Sequence, residues 1–395
     1  MIHAHLLGVA YNPVNMDKYG YCSYSNLLLR TAEMLALYGF KIFCYVPHGS
    51  ILPDYVHNVP CLEISDIEKS YSDFGSDSII DRLKWTEACK VWTQNAVKEY
   101  KKKANPNDLV FVFEGKNHEA FCQQVAYLTP IVIEQPGHTG HFAEFCAWPS
   151  YAFMHYENGA GRRLLKHYDT VFPHPCPVVP IPPSNEKHKF LTFIGRQAWS
   201  KGLELAIQTS KNCGLELKIV GQKGPATPEI LPDHCEHLGI LGPSARNELL
   251  ENSAALIAPS LICEPFGLVM IEALAKGCPV IAIDWGGATD IIVDEKHGFL
   301  CRTMKDLDRA VKRLPNIDRK DCWIRAMEYA SIITVSASMV AWLSEVRDLK
   351  LGISDFYNHS SPGPFPFKTF CLSSPNRYDR RSRMKKVFAQ QEITA

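Results

Sequence analysis

Glu264–Gly287 reads EPFGLVMIEALAKGCPVIAIDWGG, and its pattern decides how the chain folds. Leu268, Ile271, Glu272 and Ala275 recur at helical spacing, so a helix is expected over Phe266–Lys276. Gly277 stands where a left-handed C-terminal cap belongs, and Pro279 cannot carry the helix on. Pro279–Asp284 is short and apolar, the pattern of a strand buried on both faces of a parallel sheet. A helix entered through Phe266–Gly267 leaves its first amide N–H groups free, and Gly267 has no side chain to hold a ligand away. Such an end suits a phosphate. Glu264, just ahead of the helix, can accept hydrogen bonds from sugar hydroxyls, and Glu272, about two turns along, from a ribose diol.

Upstream, a strand over Phe190–Gly195 runs into FIGRQAWSKGLELAI (Phe193–Ile207), and a helix over Lys201–Lys211 follows. Arg196 and Lys201 then stand at the carboxyl end of a strand, the ligand edge of a parallel sheet. A diphosphate carries about two negative charges; Arg binds two of its oxygens at once, and Lys serves as a mobile point charge. Leu215–Gly221, His237–Leu241 and Ala254–Pro259 read as further strands, and Ser244 as a helix cap. Repeated strand–helix units predict a doubly wound α/β sheet.

Taken together, Glu264 and Glu272 with seven residues between them, the intervening Pro265-Phe266-Gly267, the run EALAKGCPVI (Glu272–Ile281) and Gly286-Gly287 resemble the retaining glycosyltransferases of family 4. The resemblance is close over Phe190–Leu300 and rests on strand order in the N-terminal half. It implies the GT-B fold: two Rossmann-like, doubly wound domains facing each other across a cleft. Residues 1–184 would be the acceptor-side domain, 185–349 the nucleotide-sugar-binding domain, and 350–395 a tail returning to the N-terminal domain. The implied reaction moves a hexose, with retention, from a nucleotide-sugar to a hydroxyl of a glycan or glycoprotein acceptor. The resemblance puts Glu264, His138, Arg196 and Lys201 in catalysis. It puts Gly20, Arg196, Lys201, Glu264, Phe266, Gly267, Leu268 and Glu272 on the donor. His141 is the reserve for His138, and Gly20 matches the family's glycine loop after the first strand. The family's Gly-Gly-x-x-Glu is here Gly286-Gly287-x-x-Asp290, a departure that weakens a donor contact from Asp290. GDP-mannose is favoured on family frequency, with UDP-glucose and UDP-N-acetylglucosamine as alternatives. No cofactor and no metal are expected, because Arg196, Lys201 and the Gly267–Leu268 amides would stabilise the leaving diphosphate, and Asp306 and Asp308 read as one face of a surface helix. Front-face displacement is the family expectation.

In the N-terminal half, strands are expected over Ile2–Tyr11, Lys41–Pro47, Leu109–Phe113, Pro130–Glu134 and Asp169–Pro173. Helices are expected over Ser25–Tyr38, Asp77–Lys103, Asn117–Leu128 and Trp148–Lys166. Pro173–Pro183 holds six prolines, which prevent regular structure, so the domain boundary is expected near Ser184.

With 395 residues, two domains are the default. Equal numbers of basic and acidic residues, 42 each, argue against a nucleic-acid binder. Fourteen cysteines without a Cys-x-x-Cys fit reduced, mostly buried thiols in a cytoplasmic compartment. The opening MIHAHLLGVAYNP reads as a strand rather than a signal peptide, and no apolar run reaches a membrane-spanning length of about 18 residues. Arg377–Lys386 carries six basic residues to one acidic; it reads as a packed or solvated tail, with peripheral contact to an anionic membrane as the alternative. A homodimer is compatible with the sequence. In its cysteine content and compactness the chain also resembles glycosyltransferases encoded by large algal viruses, which would place it in a host cytoplasm. A nicotinamide-dependent dehydrogenase should carry Gly-x-Gly-x-x-Gly after a strand and an acidic residue about 20 residues on; neither is found. A non-catalytic nucleotide-sugar-binding protein of the same fold is the remaining alternative.

Overall fold

Two all-parallel sheets organise the chain in a computed structural model, which describes residues 2–16, 22–71, 85–138, 140–161, 164–166, 168–178 and 190–352. Gly20, the expected boundary at Ser184 and the tail beyond residue 352 lie outside the described residues. The first sheet holds β1 (His3–Leu7), β2 (Lys41–Pro47), β3 (Val56–Leu62), β4 (Leu109–Val112), β5 (Ile131–Glu134), β6 (Phe145–Trp148) and β7 (Thr170–Val171), in the order β3-β2-β1-β4-β5-β6-β7. The second holds β8 (Phe190–Ile194), β9 (Glu216–Val220), β10 (Cys235–His237), β11 (Ala255–Ala258), β12 (Val280–Ile283) and β13 (Gly298–Cys301), in the order β10-β9-β8-β11-β12-β13. In both, the order reverses beside the first strand, the doubly wound arrangement that opens a crevice at the carboxyl ends of the strands.

The helices of the first domain are α1 (Ser23–Ala36), α2 (Ile64–Ser70), α3 (Glu87–Lys101), α4 (Glu119–Val125) and α5 (Tyr151–Gly159). Those that follow are α6 (Leu203–Cys213), α7 (Pro243–Glu251), α8 (Leu268–Ala275), α9 (Ala288–Ile291), α10 (Met304–Arg313), α11 (Arg319–Ala330) and α12 (Ile332–Lys350). Strands are apolar on both faces because helices cover both, so periodicity located them well: Lys41–Pro47 is found where it was expected. Several segments depart from the sequence reading: the strand expected over Ile2–Tyr11 ends at Leu7, and the helix expected over Asp77–Lys103 opens at Glu87, with 72–84 outside the described residues. Phe145–Trp148 is a strand just before a short helix, where one helix was expected from Trp148. Val56–Leu62, interrupted by Pro60 at the sheet edge, gave no readable strand signal. The strand expected over His237–Leu241 sits earlier, at Cys235–His237.

The return to the first domain also comes earlier than the 350 limit. Helix α12 buries Ile332, Val335, Met339, Trp342, Leu343 and Val346 in the same cluster as Leu27, Leu28, Phe111 and Ile133 of the N-terminal sheet and α1. Its amphipathic face finds no place on the second sheet, whose core closes with Ala326 and Ala330 of α11. All thirteen cysteines among the described residues are free. Among the described residues no helix is long and apolar enough to cross a membrane. Asp306 and Asp308 lie on α10, where Thr303 and Asp306 form a capping box.

Candidate active site

The loops at the carboxyl ends of β8, β11 and β12 converge. After β8, Arg196 is exposed and a short turn, Trp199–Lys201, folds back toward β11. Gly202 adopts φ +70°, and a Cβ there would run into the Pro259 carbonyl oxygen, so only glycine lets the turn seat. The Leu261 N–H donates to the Ser200 carbonyl (2.8 Å) and fastens it. Lys201 thereby reaches Glu264: its Nζ pairs with Oε2, which also accepts from the Ser260 hydroxyl at 3.0 Å. Burial pushes the Glu264 carboxyl up, but the charge and hydrogen bond of Lys201, the Ser260 hydroxyl and the charge of Arg196 outweigh it and hold the group below the usual carboxylate range.

The Gly286-Gly287 pair shapes the other side of this loop. The Gly287 N–H donates to the Glu264 carbonyl (2.8 Å). A Cβ on Gly287 would strike the Phe266 carbonyl oxygen, and one on Gly286 would lie 2.5 Å from the Glu264 nitrogen. Gly267 enters α8 at φ +103°, so Leu268 opens the helix directly beyond the Glu264 loop. Phe266 is 2% exposed and lies edge-on to His174 (ring centroids 5.0 Å apart); its ring anchors the loop in the core.

Glu272 sits in different surroundings. One carboxylate oxygen accepts from Arg30 Nη2 at 2.6 Å, and the other faces Arg246 Nη2 at 3.5 Å. Arg246 belongs to α7, but Arg30 comes from α1 of the first domain, 242 residues away, and all three side chains are nearly buried. A ribose diol at Glu272 would therefore share the carboxylate with two guanidinium groups. Asp290 also links the domains, taking the Tyr151 N–H at 2.5 Å and the Ala152 N–H at 3.4 Å. The Ser150 hydroxyl donates to the Pro265 carbonyl at 2.6 Å beside it.

On the first domain's carboxyl edge, His138 follows β5 and lies edge-on to Tyr24, with ring centroids 6.0 Å apart. A Cβ on Gly115 would come within 2.9 Å of its Cε1. His141 is buried inside the domain instead, Nδ1 3.0 Å from Glu134 Oε1 and Nε2 3.2 Å from Glu157 Oε2. The structure thus brings Arg196, Lys201, Glu264, Gly267 and Leu268 together at one edge and sets Glu272 behind them on α8, with Arg30.

Two polar residues on the N-terminal edge escaped the sequence reading. His118 is buried, its Nε2 3.0 Å from the Gly8 carbonyl and so protonated there, its ring beside Trp92. Burial, aided by the neighbouring His138, pushes it down to about 4 despite the Gly8 bond. Asn12 is fully buried, and neither of its amide atoms has a hydrogen-bond partner. Their one sequence signal is position: they lie in the segments that follow β1 and β4.

Residues 179–321 match the family model described as "Glycosyl transferases group 1". A D-inositol 3-phosphate glycosyltransferase of Mycobacteroides abscessus is 33% identical over 134 residues, 30% of this chain and 30% of the relative. A phosphatidyl-myo-inositol mannosyltransferase of Propionibacterium freudenreichii is 26% identical over 200 residues, 48% of this chain and 45% of the relative. The chain thus spans less than half the length of these relatives. The structure of sucrose-phosphate synthase from Thermosynechococcus elongatus superposes with a TM-score of 0.72 at 15% identity, over 90% of this chain and all of that one. At that identity the likeness shows the fold, the two facing Rossmann-like domains of GT-B.

Proposed function

We propose that this protein is a retaining glycosyltransferase that moves a hexose from a nucleotide-sugar to an acceptor hydroxyl of a glycan or glycoconjugate. The observation that carries the reading is the Lys201–Glu264 pair, set with Arg196 at the mouth of a helix entered through Gly267. Breaking the anomeric C–O bond builds negative charge on the diphosphate and positive charge on the sugar ring. Arg196, Lys201 and the Gly267–Leu268 amides face the first, each such contact contributing about 2–4 kcal/mol in the transition state. Glu264, held ionised, accepts from sugar hydroxyls and offers negative charge near the ring. These fixed cations supply the charge stabilisation that other transferases take from a bound metal. His138 approaches from the acceptor-side domain. Glu272 is assigned to the ribose diol, its carboxylate shared with Arg30 and Arg246.

The donor favoured is GDP-mannose, in keeping with the mannosyltransferase among the relatives; UDP-glucose and UDP-N-acetylglucosamine are the competing donors. Calorimetric titration with the three, without added metal, tests the reading. Micromolar binding of one donor, lost in Arg196→Ala, supports it, and silence from all three counts against it. The anomeric configuration of the product, read by proton coupling constants, tests retention. A glycosyl-enzyme trapped with a fluorinated donor would overturn the front-face path.

A further inference from the structure

We propose that His3, His5 and Asp108 form a zinc site on the amino edge of the N-terminal sheet, at the opposite end of the strands from the candidate active site. His3 and His5 alternate on β1 and so project from one face. Asp108 stands at the entry to the neighbouring β4, where Leu109 pairs with Ala4. Asp108 Oδ2 lies 3.4 Å from His3 Nδ1 and 3.2 Å from His5 Nε2, and the three ligand atoms fall within 4.8 Å of one another.

The distances fit a bridging cation as well as the weak hydrogen bond that His5 Nε2 makes to Asp108 Oδ2 at 3.2 Å. A charge-assisted N–H···O bond is typically about 2.7–2.9 Å, and the same Oδ2 takes the Asn105 backbone N–H at 2.7 Å. Contacts of 3.2 and 3.4 Å are also close to the edge of a zinc tetrahedron, about 3.3–3.5 Å for ligand bonds of about 2.0–2.2 Å. Both imidazoles converge on one carboxylate oxygen.

The surroundings suit a metal. The Tyr45 hydroxyl lies 2.9 Å from His5 Nδ1 and can accept its N–H, which leaves Nε2 as ligand, the usual outer-shell arrangement. Phe43 stacks on the His5 ring (5.1 Å) and Tyr100 meets it edge-on (4.6 Å), so the ring is oriented before any ion arrives. Lys103, whose charge reaches the site, is paired with Glu99 at 2.7 Å. Asn105 Nδ2, 2.9 Å from His3 Nδ1, is the group a metal displaces. His3 is part exposed, so water completes the fourth position.

The test is a titration of the full chain with cobalt(II), then zinc, with metal content measured after dialysis. One equivalent is expected, with a cobalt spectrum free of sulfur-to-metal charge transfer, which separates this site from the cysteines. Asp108→Asn, which keeps the side-chain shape, and His3→Ala, at the exposed rim, should each weaken zinc at least tenfold (about 1.4 kcal/mol) and abolish the zinc-induced rise in Tm. Donor binding should be unchanged in both. Absence of micromolar zinc binding, a thiolate spectrum, or full affinity in both variants would overturn the proposal.

Discussion

At the residue scale, the pairing of Lys201 with Glu264 gives the most direct prediction. Lys201→Ala should weaken nucleotide-sugar binding tenfold or more, about 1.4 kcal/mol, by calorimetry. It should also move the pH profile. In the native site Glu264 is held below the usual carboxylate range chiefly against its own burial, so donor affinity should stay flat through mildly acidic pH and fall only once pH drops through that lowered value. Without Lys201 the burial is less opposed, and the acid limb should shift to higher pH. An unmoved limb would mean that Glu264 is not the titrating group. The placement of Arg196, Lys201 and Glu264 at one sheet edge was legible because each follows a strand in a short, glycine-marked stretch. His118 and Asn12 were not, because nothing local distinguishes a buried polar residue on a loop from an exposed one.

Among elements, α1 and α8 meet through Arg30 and Glu272. Removing Arg30 leaves Glu272 with only the 3.5 Å contact to Arg246, and Arg30→Met should cost up to about 3 kcal/mol in denaturant unfolding. Arg30→Met with Glu272→Met should recover part of that loss, since both members of the 2.6 Å pair are removed, while Arg246 loses its contact with Glu272. Equal losses in single and double variants would refute the coupling. The turn after β8 offers a second check. Gly202→Ala forces a Cβ toward the Pro259 carbonyl at φ +70°, so Lys201 should be displaced and donor affinity lost while far-ultraviolet circular dichroism is kept. Most helix and strand spans were readable from apolar spacing, whereas β3, β6 and β10 were not. The Arg30 contact was not, because no sequence pattern ties two positions 242 residues apart.

For the whole molecule, α12 joins the end of the chain's second domain to the first. Trp342 packs edge-on against Phe172 (5.6 Å), and its Nε1 donates to the Tyr168 carbonyl at 3.0 Å. Trp342→Ala should therefore destabilise the N-terminal domain by about 3–5 kcal/mol, read as an earlier unfolding transition that leaves donor binding to the second domain intact. Global stability should also depend on acid pH through three buried histidines. His118 and His297 are pushed down to about 4 and His174 to about 3, each mainly by burial. The unfolded chain then binds protons at a pH where the folded chain does not. Stability should be full above about pH 6.5 and fall as pH drops toward 4, by at most about 1.4 kcal/mol per pH unit for each histidine. A flat unfolding free energy between pH 7 and 5 would contradict this.

The sequence by itself determined the repeated strand–helix units, the parallel sheets and the cluster of cations and carboxylate at one sheet edge. Those features are written in local periodicity and in glycines whose neighbours are close in the chain. Only the tertiary structure decided that Glu272 faces Arg30 and Arg246, that Asp290 receives the amides of α5, and that the chain returns to its first domain at Ile332 rather than near residue 350. Each of these depends on two surfaces meeting across the domains. An amphipathic face or a lone charge states that it needs a partner, and folding alone selects which one.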